Sequence, residues 1–142
     1  MINNRTLYAI EALCELARSK DYFSKAHSIA ESTGVPKKFM PQILSDLSRA
    51  GLVRSIRGYG GGVSLVQPPK KVSLLQIIEA MQNNLFIYDQ LIGQQDISKG
   101  MSDNLLKAFK KIQDVTKTEW AKVSLADLAA KPRGKKKGKS KI

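Results

Sequence analysis

Over the first fifty residues the apolar positions fall in three groups at helical intervals, separated by short polar stretches. Ile10, Leu13, Cys14 and Ala17 recur every three or four residues with Leu7 leading in, which predicts an amphipathic helix from about Asn4 to Ser19. The stretch SKDYFS interrupts it, and SKAHSIAEST then predicts a shorter helix with Ser24 as N-cap and Gly34 ending it in a left-handed turn. After GVP, the run KKFMPQILSDLSRAG puts Phe39, Ile43, Leu44 and Leu47 on one face and leaves Lys37, Lys38, Gln42, Ser45, Asp46 and Arg49 largely on the others. Pro41 fits this third helix only near its start, because the first N–H groups have no intrahelical partner; the helix should begin near Pro36 or Lys37. Gly51 closes it.

The pattern then changes. Leu52 to Arg57 and Val63 to Gln67 are short β-prone runs joined by GYGGG, which predicts a hairpin that Pro68 and Pro69 terminate. Ser73 and Gln76 form a capping-box pair for a helix carrying Leu74, Leu75, Ile77, Ile78 and Met81. Residues 84–100 show no sustained period and read as a loop or poorly formed turn. From Met101 to about Lys122 the helical pattern returns: Met101, Leu105, Ala108, Ile112 and Val115 alternate by four and three, and Leu106, Phe109 and Trp120 widen the stripe. A helix this long and apolar has more surface than its own domain needs to cover, so the same helix of a second chain is expected against Met101, Leu105, Ala108, Phe109, Ile112 and Val115. Ser124 to Asp127, SLAD, caps a final short helix, and the tail KPRGKKKGKSKI is expected to be disordered.

Composition narrows the class. The 142 residues, 42% of them apolar, suffice for one compact domain with modest extensions. No run approaches the roughly 18 apolar residues of a membrane span and no secretory signal opens the chain, so a soluble, cytoplasmic protein is expected. A single cysteine, Cys14, allows no internal disulfide and cannot supply the several thiolates of a structural zinc site or iron–sulfur cluster. Cys14 lies on the apolar stripe and His27, the one histidine, reads as a surface residue. No nucleophile stands with a base in the pattern, so no enzyme, cofactor or metal is expected. The net charge of +12 is unevenly spread: residues 1–72 hold 11 basic and 5 acidic groups, residues 73–130 hold 6 and 7, and residues 131–142 hold 7 basic and none acidic. A polyanion is the natural partner of such a field.

Two short helices around a glycine turn, the second with a polar, basic outer face, have the organisation of a helix-turn-helix, and a β-hairpin directly after it is a wing. The fold expected is mainly α with a small β-hairpin wing: a winged helix-turn-helix domain plus a long C-terminal dimerisation helix. Lys37, Lys38 and Arg49 suit phosphates, and Gln42 or Ser45 suit base edges. In the wing Gly58, Gly60, Gly61 and Gly62 let the backbone approach a groove while Arg54 and Arg57, flanking Tyr59, reach phosphates or the minor-groove floor. Asn3, Asn4 and Arg5 could add contacts from the first helix's N-terminus. The competing readings are a flexible turn and an ordinary solvated helix face.

The block AGLVRSIRGYGGGVSLVQPPKKVSLLQIIEAM, with KKFMPQILSDLSR before it and SLADLA after it, resembles the IscR-type (Rrf-two) family of bacterial winged helix-turn-helix transcriptional regulators over roughly residues 2–130. The resemblance implies a homodimer on a pseudo-palindromic operator, with the third helix in the major groove and the wing in the minor groove of double-stranded DNA; helix-turn-helix, wing and long apolar helix in that order lead us to expect a transcriptional regulator, a repressor. The expected division is a winged helix-turn-helix DNA-binding domain at 1–83, a sensor-position loop and dimerisation helices at 84–130, and a disordered basic tail at 131–142. The best-known members hold an iron–sulfur cluster with three cysteines in the segment corresponding to residues 84–103, where this chain has none; the aspartate some contribute from the first helix falls on about Leu7. A member without a cluster is therefore expected. Phe86, Ile87 and Tyr88 occupy the family's sensing region and are expected to pack rather than bind a ligand. The alternative function is a winged-helix protein-interaction module with only nonspecific nucleic-acid affinity. The residues name no effector, protein or small molecule, and no membrane partner is expected.

Overall fold

The structure is a computed structural model that describes residues 2–83, 85–93 and 99–130. Its elements run α1 (Asn4–Arg18), α2 (Ala26–Thr33), a 3-10 turn (Lys37–Phe39), α3 (Met40–Arg49), β1 (Val53–Ile56), β2 (Gly62–Leu65), a second 3-10 turn (Pro69–Lys71), α4 (Leu74–Met81), α5 (Ile87–Gly93), α6 (Asp103–Lys122) and α7 (Leu125–Ala129). This is the helical winged fold that the sequence predicts. The basic tail lies outside the described residues.

Side-chain caps fix several helix starts. Asn3 accepts from the Thr6 N–H at the head of α1, and Ser73 with Gln76 and Ser124 with Asp127 form reciprocal boxes at α4 and α7. The predicted cap of α2 is corrected: Ser24 instead exchanges backbone hydrogen bonds with Val63 of β2, at 2.9 and 2.8 Å, and Lys25 becomes the N-cap with no side-chain bond. Sheet pairing has consumed the Ser24 backbone. Gly34 does end α2, at φ 78°.

The buried face of α1 is rotated from the predicted stripe. Thr6, Ala9, Ala12, Leu13, Cys14 and Leu16 are buried, whereas Leu7 is exposed, because the small Ala9 and Ala12 let α1 sit close against its neighbours. A similar shift affects Phe39. The 3-10 turn changes the angular phase, so Met40 takes the core position and Phe39 stays at the surface, stacked on Tyr8 with ring centroids 5.8 Å apart. Pro41 sits in the first turn of α3, where its missing N–H costs nothing.

One core joins α1, α2, α3, both strands and α4 through Leu13, Ile29, Ile43, Leu47, Val53, Val63 and Ile77, and Leu125 and Ala129 of α7 belong to it as well. The chain returns to that core after α6: Leu74 N–H donates to the Val123 carbonyl at 2.8 Å and Leu125 N–H to the Val72 carbonyl at 2.7 Å.

The aperiodic segment is not wholly a loop. Seven of its residues form α5, too short for its period to be read, and α5 is held by α6. Asp89 N–H donates to Gln113 Oε1 at 3.2 Å, Gln113 Nε2 donates to Asp89 Oδ1 at 3.0 Å, and Lys117 Nζ donates to Asp89 Oδ2 at 2.9 Å. The Lys117 and Gln113 hydrogen bonds hold the Asp89 carboxyl below the ordinary aspartate range. Phe86 packs on Trp120, centroids 5.6 Å apart, while Ile87 is exposed. Along α6 itself Gln113 is the buried residue; Leu105, Ile112 and Val115 are exposed, the last two at 63% and 55%. Met101 lies ahead of the helix, whose N-cap is Ser102.

Candidate nucleic-acid interface

α2, the Gly34 turn and α3 form the helix-turn-helix, and α3 presents its polar face outward because Met40, Ile43, Leu44 and Leu47 face the core. Lys37, Lys38, Gln42, Ser45 and Arg49 are all exposed. Lys38 lies over the Phe39 ring, 5.1 Å from its centroid. Gln42 and Arg49 are not independent. Gln42 Nε2 donates to Asp46 Oδ1 at 3.0 Å, Arg49 Nη1 donates to the same oxygen at 3.2 Å, and Arg5 Nη2 of α1 donates to Asp46 Oδ2. Asp46 is 13% exposed, so its carboxylate lies behind the three donors it gathers.

The wing is a two-stranded antiparallel sheet in which Val53, Arg54, Ser55 and Ile56 pair with Leu65, Ser64, Val63 and Gly62. Its tip is closed by a Gly61 N–H bond to the Gly58 carbonyl at 3.0 Å, with Gly60 at φ 79° and the Tyr59 side chain fully in solvent. Gly61 is required for a different reason: a Cβ there would collide with the Ile56 carbonyl. The hairpin is braced at its root by the Ser24–Val63 pairing and near its tip by Lys25, whose Nζ donates to the Gly58 carbonyl at 3.0 Å.

Side-chain alternation separates the two wing arginines. Ser55 and Arg57 face a cleft shared with Ser45, Ser48 and Arg49 of α3, so α3 and the wing form one continuous surface there. Arg54 lies on the opposite face, where it donates to Tyr22 Oη at 2.8 Å and to Ser64 Oγ at 3.4 Å. Arg57 makes no hydrogen bond or ion pair among the described residues. The sequence pattern did not single out Lys25, Tyr22 or the role of Asp46. The spacings of Gln42 to Asp46 and Asp46 to Arg49 were legible as helix neighbours, but Arg5 to Asp46 spans 41 positions and needed the fold.

The residues present do not fit an iron–sulfur cluster. Cys14 is buried between α1 and the core, burial pushes its thiol up against a partial offset from Arg18, and residues 84–103 contain no thiol. Among the described residues no three His, Cys, Asp or Glu side chains are gathered as for a metal ion. His27 is exposed on α2. No helix among the described residues is long and apolar enough to cross a membrane.

A family model described as "Rrf2: Iron-dependent Transcriptional regulator" matches residues 2–131. An rrf2-like HTH-type transcriptional regulator of Rhodobacter capsulatus is 42% identical over 82 residues, covering 55% of this chain and 55% of its own length. An HTH-type transcriptional regulator of Synechocystis is 32% identical over 99 residues, covering 69% of this chain and 67% of that one. The first of these alignments thus spans about half the length of the relative it matches. Among solved structures, CymR, the global cysteine regulator of B. subtilis, superposes with a TM-score of 0.75 at 25% identity, covering 91% of this chain and 95% of that one. IscR of T. potens superposes with a TM-score of 0.71 at 23% identity, covering 90% and 85%, and supports the fold.

Proposed function

Because the chain belongs to the Rrf2 family of transcriptional regulators, we propose that it binds a pseudo-palindromic stretch of double-stranded DNA as a homodimer and represses transcription from the promoter it covers. The observation that carries this reading is the single surface on which Ser45 and Arg49 of α3 face Ser55 and Arg57 of the wing. A helix of that kind fits a major groove, and a slender glycine hairpin beside it fits the adjoining minor groove. Arg57, unengaged among the described residues, is available to a phosphate or the groove floor. Lys37, Lys38 and Arg49 would set the register on the backbone, and Gln42 and Ser45 would read base edges.

Dimerisation rests on α6. Leu105, Ala108, Ile112 and Val115 follow the alternating three- and four-residue spacing of a two-stranded seam, and they are exposed in the protomer. Pairing two copies along this stripe covers them and sets two α3 helices apart for successive half-sites, about 34 Å on B-DNA. The regulator so described carries no iron–sulfur cluster and acts in the cytoplasm.

Selection of bound fragments from a random duplex library by the purified protein tests the reading. The expected result is a two-fold-related motif, bound by two chains, with affinity that falls steeply with salt. No retention of any duplex at low salt would overturn it in favour of a protein-interaction module. Full affinity after Arg57→Ala combined with Lys37→Ala would overturn the assigned surface.

A further inference from the structure

We infer that Asp46 is a positioning residue that fixes the reading sense of Gln42, and so sets base preference without touching a base. The inference rests on the DNA-binding reading of α3. A glutamine amide has two nearly equal faces: turned one way it presents Oε1 at a given point, turned the other way it presents Nε2. On an exposed helix surface nothing chooses between them. Here Asp46 Oδ1 accepts from Gln42 Nε2 at 3.0 Å, and both Asp46 oxygens are acceptors. The flipped amide would set Oε1 against a carboxylate oxygen, acceptor to acceptor, so only one orientation survives. The second Nε2 hydrogen and Oε1 remain available, which is the donor–acceptor pair that matches the N7 and N6 edge of adenine.

The arginines make Asp46 hard to displace from this task. Arg5 holds Oδ2 and Arg49 shares Oδ1, so the carboxylate is anchored from α1 and from the next turn of α3. Its position behind the three donors keeps its charge away from the front of the helix. The cost is electrostatic: one negative charge stays beside two cations on a surface meant for a polyanion, which weakens binding to every sequence alike. Asp46 therefore lowers general affinity while sharpening discrimination.

Asp46→Asn separates those two effects. The isosteric amide carries a donor at one end, so it can serve Gln42 in either orientation. Binding of Asp46→Asn, Gln42→Ala and the double variant is measured against the library-selected duplex, against that duplex with each base pair exchanged in turn, and against an unrelated duplex. The expected result for Asp46→Asn is tighter binding to the unrelated duplex together with about tenfold weaker discrimination at one A·T pair per half-site. Gln42→Ala should lose discrimination at the same pair, and the double variant should lose no more than Gln42→Ala alone. An Asp46→Asn profile that keeps full discrimination at every pair, or loses it at a pair that Gln42→Ala leaves intact, overturns the inference. If Asp46→Asn does not fold, the Gln42 side-chain amide of the unsubstituted protein decides by NMR. Protection of its protons from exchange supports the arrangement, and exchange as fast as a free glutamine overturns it. Failure of the unsubstituted protein to bind any duplex would instead end the DNA-binding reading itself.

Discussion

The head of the molecule and the α5–α6 arm are built on opposite terms. In the head, three helices, a hairpin, α4 and the returning α7 close around Leu13, Ile43, Leu47, Ile77 and Leu125, all without measurable exposure, and polar side chains other than Thr6 and Ser64 reach the surface. In the arm, a helix of 20 residues buries one glutamine and leaves Leu105, Ile112 and Val115 in solvent. The head encloses a continuous apolar core within one chain, with single residues such as Leu7 and Ile56 left outside it; the α6 stripe is enclosed by nothing in the described fold. On the dimer reading proposed above a second helix would cover this stripe, whereas the head already encloses a core of its own.

This contrast can be broken in order of expected effect. Leu47→Ala in the head should lower the unfolding free energy by about 2–5 kcal/mol, because it empties a fully enclosed site. Ile112→Ala should change the unfolding of the dilute protomer by less than about 0.5 kcal/mol. Equal losses in denaturant melts would erase the distinction between the two regions. Ile112→Asp with Val115→Asp should next raise the dimer dissociation constant by more than about a hundredfold, since each side chain contributes roughly 1.5–3 kcal/mol when buried. Sedimentation equilibrium reads this directly, and a persisting dimer would move the interface elsewhere. Arg57→Ala should weaken operator binding by about tenfold and reduce the salt slope by about one, with dimerisation unchanged.

The smallest effect concerns how α5 rests on α6. Since hydrogen bonds from Lys117 and Gln113 depress the Asp89 pKa, the stability they add is complete above the ordinary aspartate value of about 3.9 and fades as pH falls through the lower native value. Asp89 is half exposed, so solvent screening keeps this contribution small. Protection of the α5 amides, relative to their intrinsic exchange at each pH, should accordingly fall below about pH 4, and Asp89→Asn should show the lower protection already at neutral pH. Exchange in α5 that is indifferent to both would show that Phe86 on Trp120 alone holds the helix.

Much of the head was legible because its cues are local. The Ser73–Gln76 box, the Gly34 stop, the early Pro41 and the GYGGG turn each act within a few residues, and each lies where the spacing predicts. The misreadings came where a distant partner decided. Ser24 reads as a cap until Val63 takes its backbone, and α5 has no readable period because Gln113 and Lys117, more than twenty positions away, hold it. Arg54 and Arg57 read alike in the sequence, yet the pleat sends one to Tyr22 and the other to the α3 cleft.

By itself, then, the sequence determined the order and kind of every element but α5, the cationic ends of the chain and the absence of a thiol set for a cluster, since periodicity, capping and charge are properties of neighbouring residues. Only the tertiary structure decided which polar side chains share a surface. Asp46 gathers Gln42, Arg49 and Arg5 because α1 crosses α3, Leu125 completes the head because α7 returns to it, and the Ile112 stripe stays open because nothing else in the described fold reaches it. Hydrogen bonds and burial act across space, and the chain carries their partners too far apart for any local pattern to announce them.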